Sequence, residues 1–171
     1  MSTPRLTETS YIVLGLLEHA EPATPYDLKQ LAKVSTMNFW SVPHTQLYTE
    51  CARLAKEDLL SEQREQSGRR RRIYRLTQRG RQALDAWRAE PTGELYEARD
   101  VGILKLFFGG DPANLAAAQL DAHRRQLKAY EQLHTDNPDA PRGPRLALEA
   151  GIGHEREFIR FWSQVDEGAS Q

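Results

Sequence analysis

SVPHTQLYTECARLAKEDLL, Ser41 to Leu60, carries two different surfaces on a single helical repeat. Leu47, Tyr48, Cys51, Leu54 and Ala55 recur at three- and four-residue spacing and make one apolar stripe. Thr45, Gln46, Thr49, Arg53 and Lys56 fall on the other face, and each can donate hydrogen bonds to a base edge or a phosphate. Ser41 is placed as the N-cap and Pro43 in the first turn, where its missing N–H costs nothing. His44, Thr45 and Gln46 then stand at the tip. A helix with a polar N-terminus and an apolar back suits a major groove. Most surface helices are also apolar on one side, so the neighbouring segments must supply the distinction.

Upstream, a first helix is expected from about Thr9 to His19, with Ile12, Val13, Leu16 and Leu17 as its core face and Thr7 or Ser10 near its cap. Thr24-Pro25-Tyr26-Asp27 is a second helix start, with Thr24 as N-cap, Pro25 at the first helical position and Asp27 placed for reciprocal capping. Leu28, Leu31 and Ala32 point inward, and the helix ends near Val34. Phe39 and Trp40 are expected to staple the entry of the third helix to the core. Two short helices, a turn and a two-faced helix make a helix-turn-helix.

Downstream, residues 59–66 and 70–77 are strand candidates joined at Ser67-Gly68. Period-two alternation puts Tyr74 and Leu76 on one face and Ile73 and Arg75 on the other. Carried backwards, it puts Arg70 and Arg72 on one side and Arg69 and Arg71 on the opposite side. A hairpin tip charged on both sides cannot pack on a core without partners, so it projects. A projecting basic hairpin after a helix-turn-helix is a wing able to lie along a phosphate backbone or in a minor groove.

Thr77 caps a fourth helix, Gln78 to about Ala89, with Ala83, Leu84 and Trp87 inward. Pro91-Thr92-Gly93 is the clearest boundary, dividing the chain into residues 1–90 and 91–171. Beyond it, Leu95 to Phe108 reads as helical and ends at Gly109-Gly110. Asp111-Pro112 opens a long helix to about His134 with Ala116, Leu120, His123, Leu127, Tyr130 and His134 as a seam. Residues 135–144 hold three prolines and a glycine and read as a loop. The last helix, Arg145 to about Asp166, repeats the seam with Ala147, Gly151, His154, Phe158, Phe161 and Val165. The expected class is therefore mainly α: an N-terminal winged helix-turn-helix with a two-stranded wing, and a C-terminal, coiled-coil-like helical domain. Such a helical hairpin buries little alone, which favours packing against a second copy.

Composition fits this plan. Of 171 residues, 27% are charged and 39% apolar, ordinary for a globular chain. No run approaches the roughly 18 to 20 apolar residues of a membrane span, and MSTPRLTETS lacks a secretory pattern, so no membrane is expected and the cytoplasm is the expected compartment. The single cysteine, Cys51, reads as a buried thiol. Net charge is only −1, but residues 61–88 hold nine arginines against three acids, whereas residues 91–171 hold nine cations against thirteen acids. One basic patch beside an acidic half is expected when only one end meets a polyanion.

With these segments in order, the chain resembles the PadR-like transcriptional regulators. The likeness rests on TSYIVLGLL at 9–17, PYDL at 25–28, HTQLYTECARL at 44–54 and GRRRRIYRLTQRGRQAL at 68–84. It continues in KLFFGG at 105–110 and LALEAGIGHEREFIRFW at 146–162. The resemblance implies a homodimer, joined through the C-terminal helices, that binds a palindromic double-stranded DNA operator, usually as a repressor and often released by a small molecule. By position it implies DNA contacts from Ser41, His44, Thr45, Gln46 and Tyr48, from Arg69, Arg70, Arg71 and Arg72 on the wing, and from Tyr26 beside the phosphates. Thr49 and Arg53 join the set from their place on the polar face. The chain departs from the family pattern at Pro25 and Asp58, where glycines are common, and at Thr49, which replaces a frequent proline.

Catalytic and metal chemistry find no footing. The five histidines lie far apart, and none has a Cys or second His at ligand spacing. His154-Glu155 begins like a zinc-protease helix, but Phe158 stands where the second His is needed. Gly109-Gly110 ends a helix rather than opening one after a strand, so no phosphate loop is present. No enzyme activity, metal or cofactor is expected. Trp40, Trp87, Phe107, Phe108, Phe161 and Trp162 are the candidates for an aromatic effector pocket, with plain core packing as the alternative. The alternatives to a regulator are a winged helix used for protein–protein contact and a ligand sensor without DNA binding.

Overall fold

A computed structural model of the chain describes residues 5–65, 70–95, 97 and 99–169. The chain separates into two compact units, residues 1–94 and 95–171.

In the first unit, α1 (Glu8–Ala20) is the hub on which α2 (Pro25–Lys33), α3 (His44–Lys56) and α4 (Gln78–Ala89) pack. Val13, Leu14, Leu16 and Leu17 are all buried, so α1 hides more of its circumference than an ordinary amphipathic helix. The start of α2 is the reciprocal cap that its sequence spells. The Thr24 N–H donates to Asp27 Oδ2 at 2.9 Å, and the Asp27 N–H donates to Thr24 Oγ1 at 3.3 Å. A 3-10 turn, Thr36–Asn38, then leads toward α3.

The entry of α3 differs from expectation. Its N-cap is Pro43, and Ser41 lies exposed two residues earlier without capping anything. Phe39 and Trp40 stay exposed; Val42 does the stapling instead. Val42 precedes the cap and Leu47 is the fourth helical residue, and both are buried in the same core cluster, which is the geometry of a hydrophobic staple. The buried stripe of α3 narrows to Leu47, Cys51 and Leu54, while Tyr48 is 46% exposed. The helix ends in a Schellman motif. The Leu59 N–H donates to the Leu54 carbonyl at 2.9 Å and the Asp58 N–H to the Ala55 carbonyl at 3.3 Å. Asp58 takes the left-handed conformation, φ +56°, that glycine would adopt without strain.

A polar clamp joins α3 to α1. The fully buried Ser10 hydroxyl donates to Glu50 Oε1 at 2.6 Å and accepts from the Thr7 N–H at 2.8 Å and from Arg53 Nη2 at 3.1 Å. Arg53 holds both Glu50 oxygens, at 2.6 and 3.0 Å. Burial raises the Glu50 carboxyl pKa, but the hydrogen bonds from Arg53 and Ser10 and the Arg53 charge outweigh it, so Glu50 lies below its ordinary value.

Strands β1 (Leu60–Arg64) and β2 (Arg72–Leu76) pair antiparallel, with Leu60 opposite Leu76, Glu62 opposite Tyr74 and Arg64 opposite Arg72. The other edge of β2 is also used. The Tyr74 N–H donates to the Ala23 carbonyl at 2.9 Å, and the Ala23 N–H donates back to the Tyr74 carbonyl at 3.2 Å. The strands are shorter than expected, and the Ser67-Gly68 turn falls outside the described residues. Thr77 caps α4 by accepting from the Gly80 N–H at 3.0 Å while its hydroxyl reaches the Leu59 carbonyl.

In the second unit, α5 (Val101–Phe107) is half the length expected. Asp100 accepts from the Gly102 and Ile103 N–H groups at 2.6 and 3.1 Å, which starts the helix there rather than at Leu95. It closes in a second Schellman motif, with Gly109 at φ +80°. Helix α6 (Pro112–Asp136) begins at the expected cap, Asp111, which accepts from the Asn114 N–H at 2.7 Å. Helix α7 (Arg142–Ala169) starts before the expected position and takes Gly143 and Pro144 into its first turn, where proline removes no needed donor. The loop is thus residues 137–141. Helices α6 and α7 form an antiparallel hairpin, in which Trp162 packs with Ala116 and Leu120, and Gly151 lies against the Tyr130 ring.

Two outcomes follow for stability. A Cβ at Gly80 would lie 2.1 Å from the Leu59 carbonyl oxygen. Gly80→Ala should therefore cost about 2 kcal/mol in urea denaturation, despite a helix-propensity gain of about 1 kcal/mol; unchanged or increased stability would contradict this packing. A carboxyl held low in the folded state stabilises above its ordinary value of 4.5, and that contribution is lost as pH falls through the folded pKa. Glu50→Gln should be about 2 kcal/mol less stable at pH 7. The gap to the parent should narrow as the pH drops below 4.5 in a denaturation series; a gap independent of pH would show that the charge of Glu50 does not matter.

Candidate nucleic-acid interface

The tip of α3 has no side-chain cap; the Gln46 N–H donates to the Pro43 carbonyl at 2.9 Å, and the tip stands at the positive end of the helix dipole. His44, Thr45, Gln46 and Thr49 are exposed there, and Tyr48 flanks them. The Thr49 hydroxyl donates to the Thr45 carbonyl at 3.0 Å, which fixes its rotamer and leaves its lone pairs to accept. Thr45, Gln46 and Thr49 also line a shallow groove of about 280 Å³ with Thr7, Thr9 and Glu50. Arg53 behaves differently from the sequence expectation. Its guanidinium is engaged by Glu50 and Ser10, making it a strut between helices rather than a free donor. Tyr26, at the second position of α2, is 57% exposed.

On the wing, the described arginines are not equivalent. Arg70 sits at φ +46°, so strand alternation stops before it, and among the described residues no acid pairs with it. Arg71 pairs with Glu65 at 3.4 Å, and Arg72 lies 3.7 Å from Glu62. Arg69 lies outside the described residues. The sequence reading missed Arg64, which stands directly opposite Arg72 and donates to Glu62 Oε1 at 3.0 Å. Counting the register back from Tyr74 would have found it. Arg75 is exposed on the opposite face.

Of the six candidate pocket aromatics, Trp40 and Trp87 belong to the first unit and Phe107, Phe108, Phe161 and Trp162 to the second. Trp87 stacks on Tyr11 with centroids 4.6 Å apart, and Trp40 is half exposed. Phe107 and Phe108 meet edge to face and are largely exposed. Phe161 touches Trp162, which is fully buried as the largest side chain of the second core. Trp162 therefore serves as core.

Other chemistry finds little support in the geometry. Burial pushes the Cys51 thiol up to about 12, which leaves it protonated and inert. His123 shares a 2.5 Å hydrogen bond with Glu155 between α6 and α7, a satisfied seam contact. Among the described residues no cluster of three His, Cys, Asp or Glu could hold a metal, and no helix is long and apolar enough to cross a membrane.

Known proteins match this architecture. The model for the transcriptional regulator PadR-like family matches residues 13–86, and the model for the virulence activator alpha C-terminal region matches residues 98–167. The negative transcriptional regulator PadR of Bacillus subtilis is 32% identical over 175 residues, 91% of this chain and 93% of that protein. Crystalline Bacillus subtilis PadR in complex with operator DNA superimposes with a TM-score of 0.81 at 22% identity, over 94% of this chain and 98% of that one. PadR from the same organism in complex with p-coumaric acid gives 0.77 at 20% identity, over 98% and 99%. These superpositions place the fold among winged helix-turn-helix proteins followed by a helical unit. Given a relative of this identity and coverage, the chain belongs to the PadR-like family of transcriptional regulators.

Proposed function

We propose that the chain is a cytoplasmic, homodimeric repressor that binds a palindromic operator and carries out no catalysis. In this reading the tip of α3 enters the major groove, where His44, Thr45 and Gln46 reach base edges and Tyr48 and Thr49 line the approach. Tyr26 and the wing arginines take phosphate. The observation that carries it is the pairing, within one compact unit, of an uncapped and exposed helix tip with an arginine-bearing hairpin. The same pairing disfavours a sensor without DNA binding, which needs no such cations. A second copy is supported by α5 and the Phe108 that caps it, where Val101, Leu104, Phe107 and Phe108 are more than half exposed although apolar. An apolar helix left in water calls for a partner, and symmetric assembly supplies one. Release by a small aromatic effector is supported by the relative that was crystallised with p-coumaric acid.

Selection from a random duplex pool with the full-length protein should enrich an inverted repeat. On that sequence, Thr45→Ala or Gln46→Ala should lose discrimination against random DNA by roughly 5- to 100-fold. Arg70→Ala or Arg72→Ala should instead weaken binding to every sequence and flatten the salt dependence by about one unit per contact. Equal losses on operator and random DNA for both groups would defeat this division of roles, and failure to enrich any sequence would defeat the reading itself.

A further inference from the structure

The core-facing row of the wing changes character within three cross-strand steps. Leu60 and Leu76 are buried, Glu62 and Tyr74 follow, and Arg64 and Arg72 stand opposite each other at the outer end. Two guanidinium groups at directly paired positions repel. The carboxylate that answers them is Glu62. Its Oε1 accepts from Arg64 Nε at 3.0 Å and lies 3.7 Å from Arg72 Nε, while its Oε2 accepts from the Tyr74 hydroxyl at 3.1 Å. Tyr74 is 1% exposed, so Glu62 is tied to the core by a fixed donor, and its side chain is only 21% exposed against 66% and 49% for the two arginines. The hydrogen bond from Arg64 lowers the Glu62 carboxyl pKa, and Tyr74 and Arg72 add to this against some burial, so it is ionised at neutral pH.

We propose that Glu62 is an internal competitor for DNA phosphate, an affinity-setting residue that occupies Arg64 and Arg72 in the free protein and must yield them on binding. This inference rests on the DNA-binding reading above. A phosphate oxygen asks for the charge-assisted hydrogen bond that Arg64 already gives Glu62 and for the Arg72 charge that Glu62 already neutralises at 3.7 Å, so contacts to the backbone are gained at the expense of these. The carboxylate also repels phosphate wherever the wing docks. Both effects are blind to base sequence. Glu62 therefore lowers affinity for operator and random DNA together and leaves their ratio alone.

The test compares the full-length protein with Glu62→Gln on the selected operator and on random duplex across a salt series. Glutamine keeps an acceptor for the Tyr74 hydroxyl and removes only the charge. Affinity for both DNAs should rise roughly tenfold near ~0.1 M salt, and the salt dependence should steepen by about one unit per wing. Asp139→Asn makes the same charge change outside the wing, and an equal gain from it would overturn the proposal by making the effect one of net charge alone. Weaker binding by Glu62→Gln would overturn the proposal, because it would make Glu62 a brace that aims the arginines. Unchanged affinity and slope, with the parent still binding DNA, would overturn it as well. If the parent bound no duplex at any salt, the DNA-binding reading and this inference would fall together.

Discussion

Tyr74 is held from three directions, and the arrangement of the first unit depends on it. Its ring is buried in the core, its backbone exchanges two hydrogen bonds with Ala23, and its hydroxyl reaches Glu62 across the ladder. The Ala23 bridge ties the middle of β2 to the connection between α1 and α2. An isolated two-stranded hairpin is marginal in water. Here the second edge and the buried ring make it part of the helical body. The wing can therefore present charge at its far end without loosening at its base.

The third helix is fixed by a different balance. Leu47, Cys51 and Leu54 supply the apolar contact, the two fully buried leucines contributing about 2 kcal/mol each. That stripe sets which face turns inward but constrains sliding along α1 less well. The Ser10, Glu50 and Arg53 contacts add direction, since hydrogen bonds to charged groups weaken steeply once bent or stretched. Losing Arg53 or Glu50 would leave the buried Ser10–Glu50 end of the clamp short of a partner, so the three are coupled. The consequence for function is a helix whose middle is immobilised and whose first turn is left open.

What could be read in the sequence is mostly what is local. Thr24-Pro25-Tyr26-Asp27 and Asp111-Pro112 announce their caps because donor and acceptor lie within one turn. The Leu47, Cys51 and Leu54 positions of the α3 stripe and the Tyr74–Leu76 alternation follow from periodicity, which wrongly adds the half-exposed Tyr48 to the stripe. The errors have non-local or competing causes. Arg53 is the mixed case: Glu50, three residues before it, is a local partner, but the buried Ser10 that fixes both side chains lies 43 residues from Arg53. Leu95 to Phe108 looked helical throughout because its apolar residues recur suitably, yet the Asp100 side chain captures the N–H groups of a shorter helix. Pro144 looked like a breaker because its place in a first turn, where proline is harmless, becomes visible only once the start of α7 is known. Ser41 lost the capping position to Pro43 because burying Val42 sets the entry of the chain. Arg64 and Glu62 went unnoticed because their importance is a matter of register.

In the proposed complex the tip of α3 and the outer wing form one face that meets DNA. Amide hydrogen exchange of the full-length protein, with and without the selected operator, tests it most directly. Protection should rise together over residues 41–49 and 70–76 and leave α4 unchanged. Protection confined to residues 101–169, or rising at only one of the two segments, would contradict it.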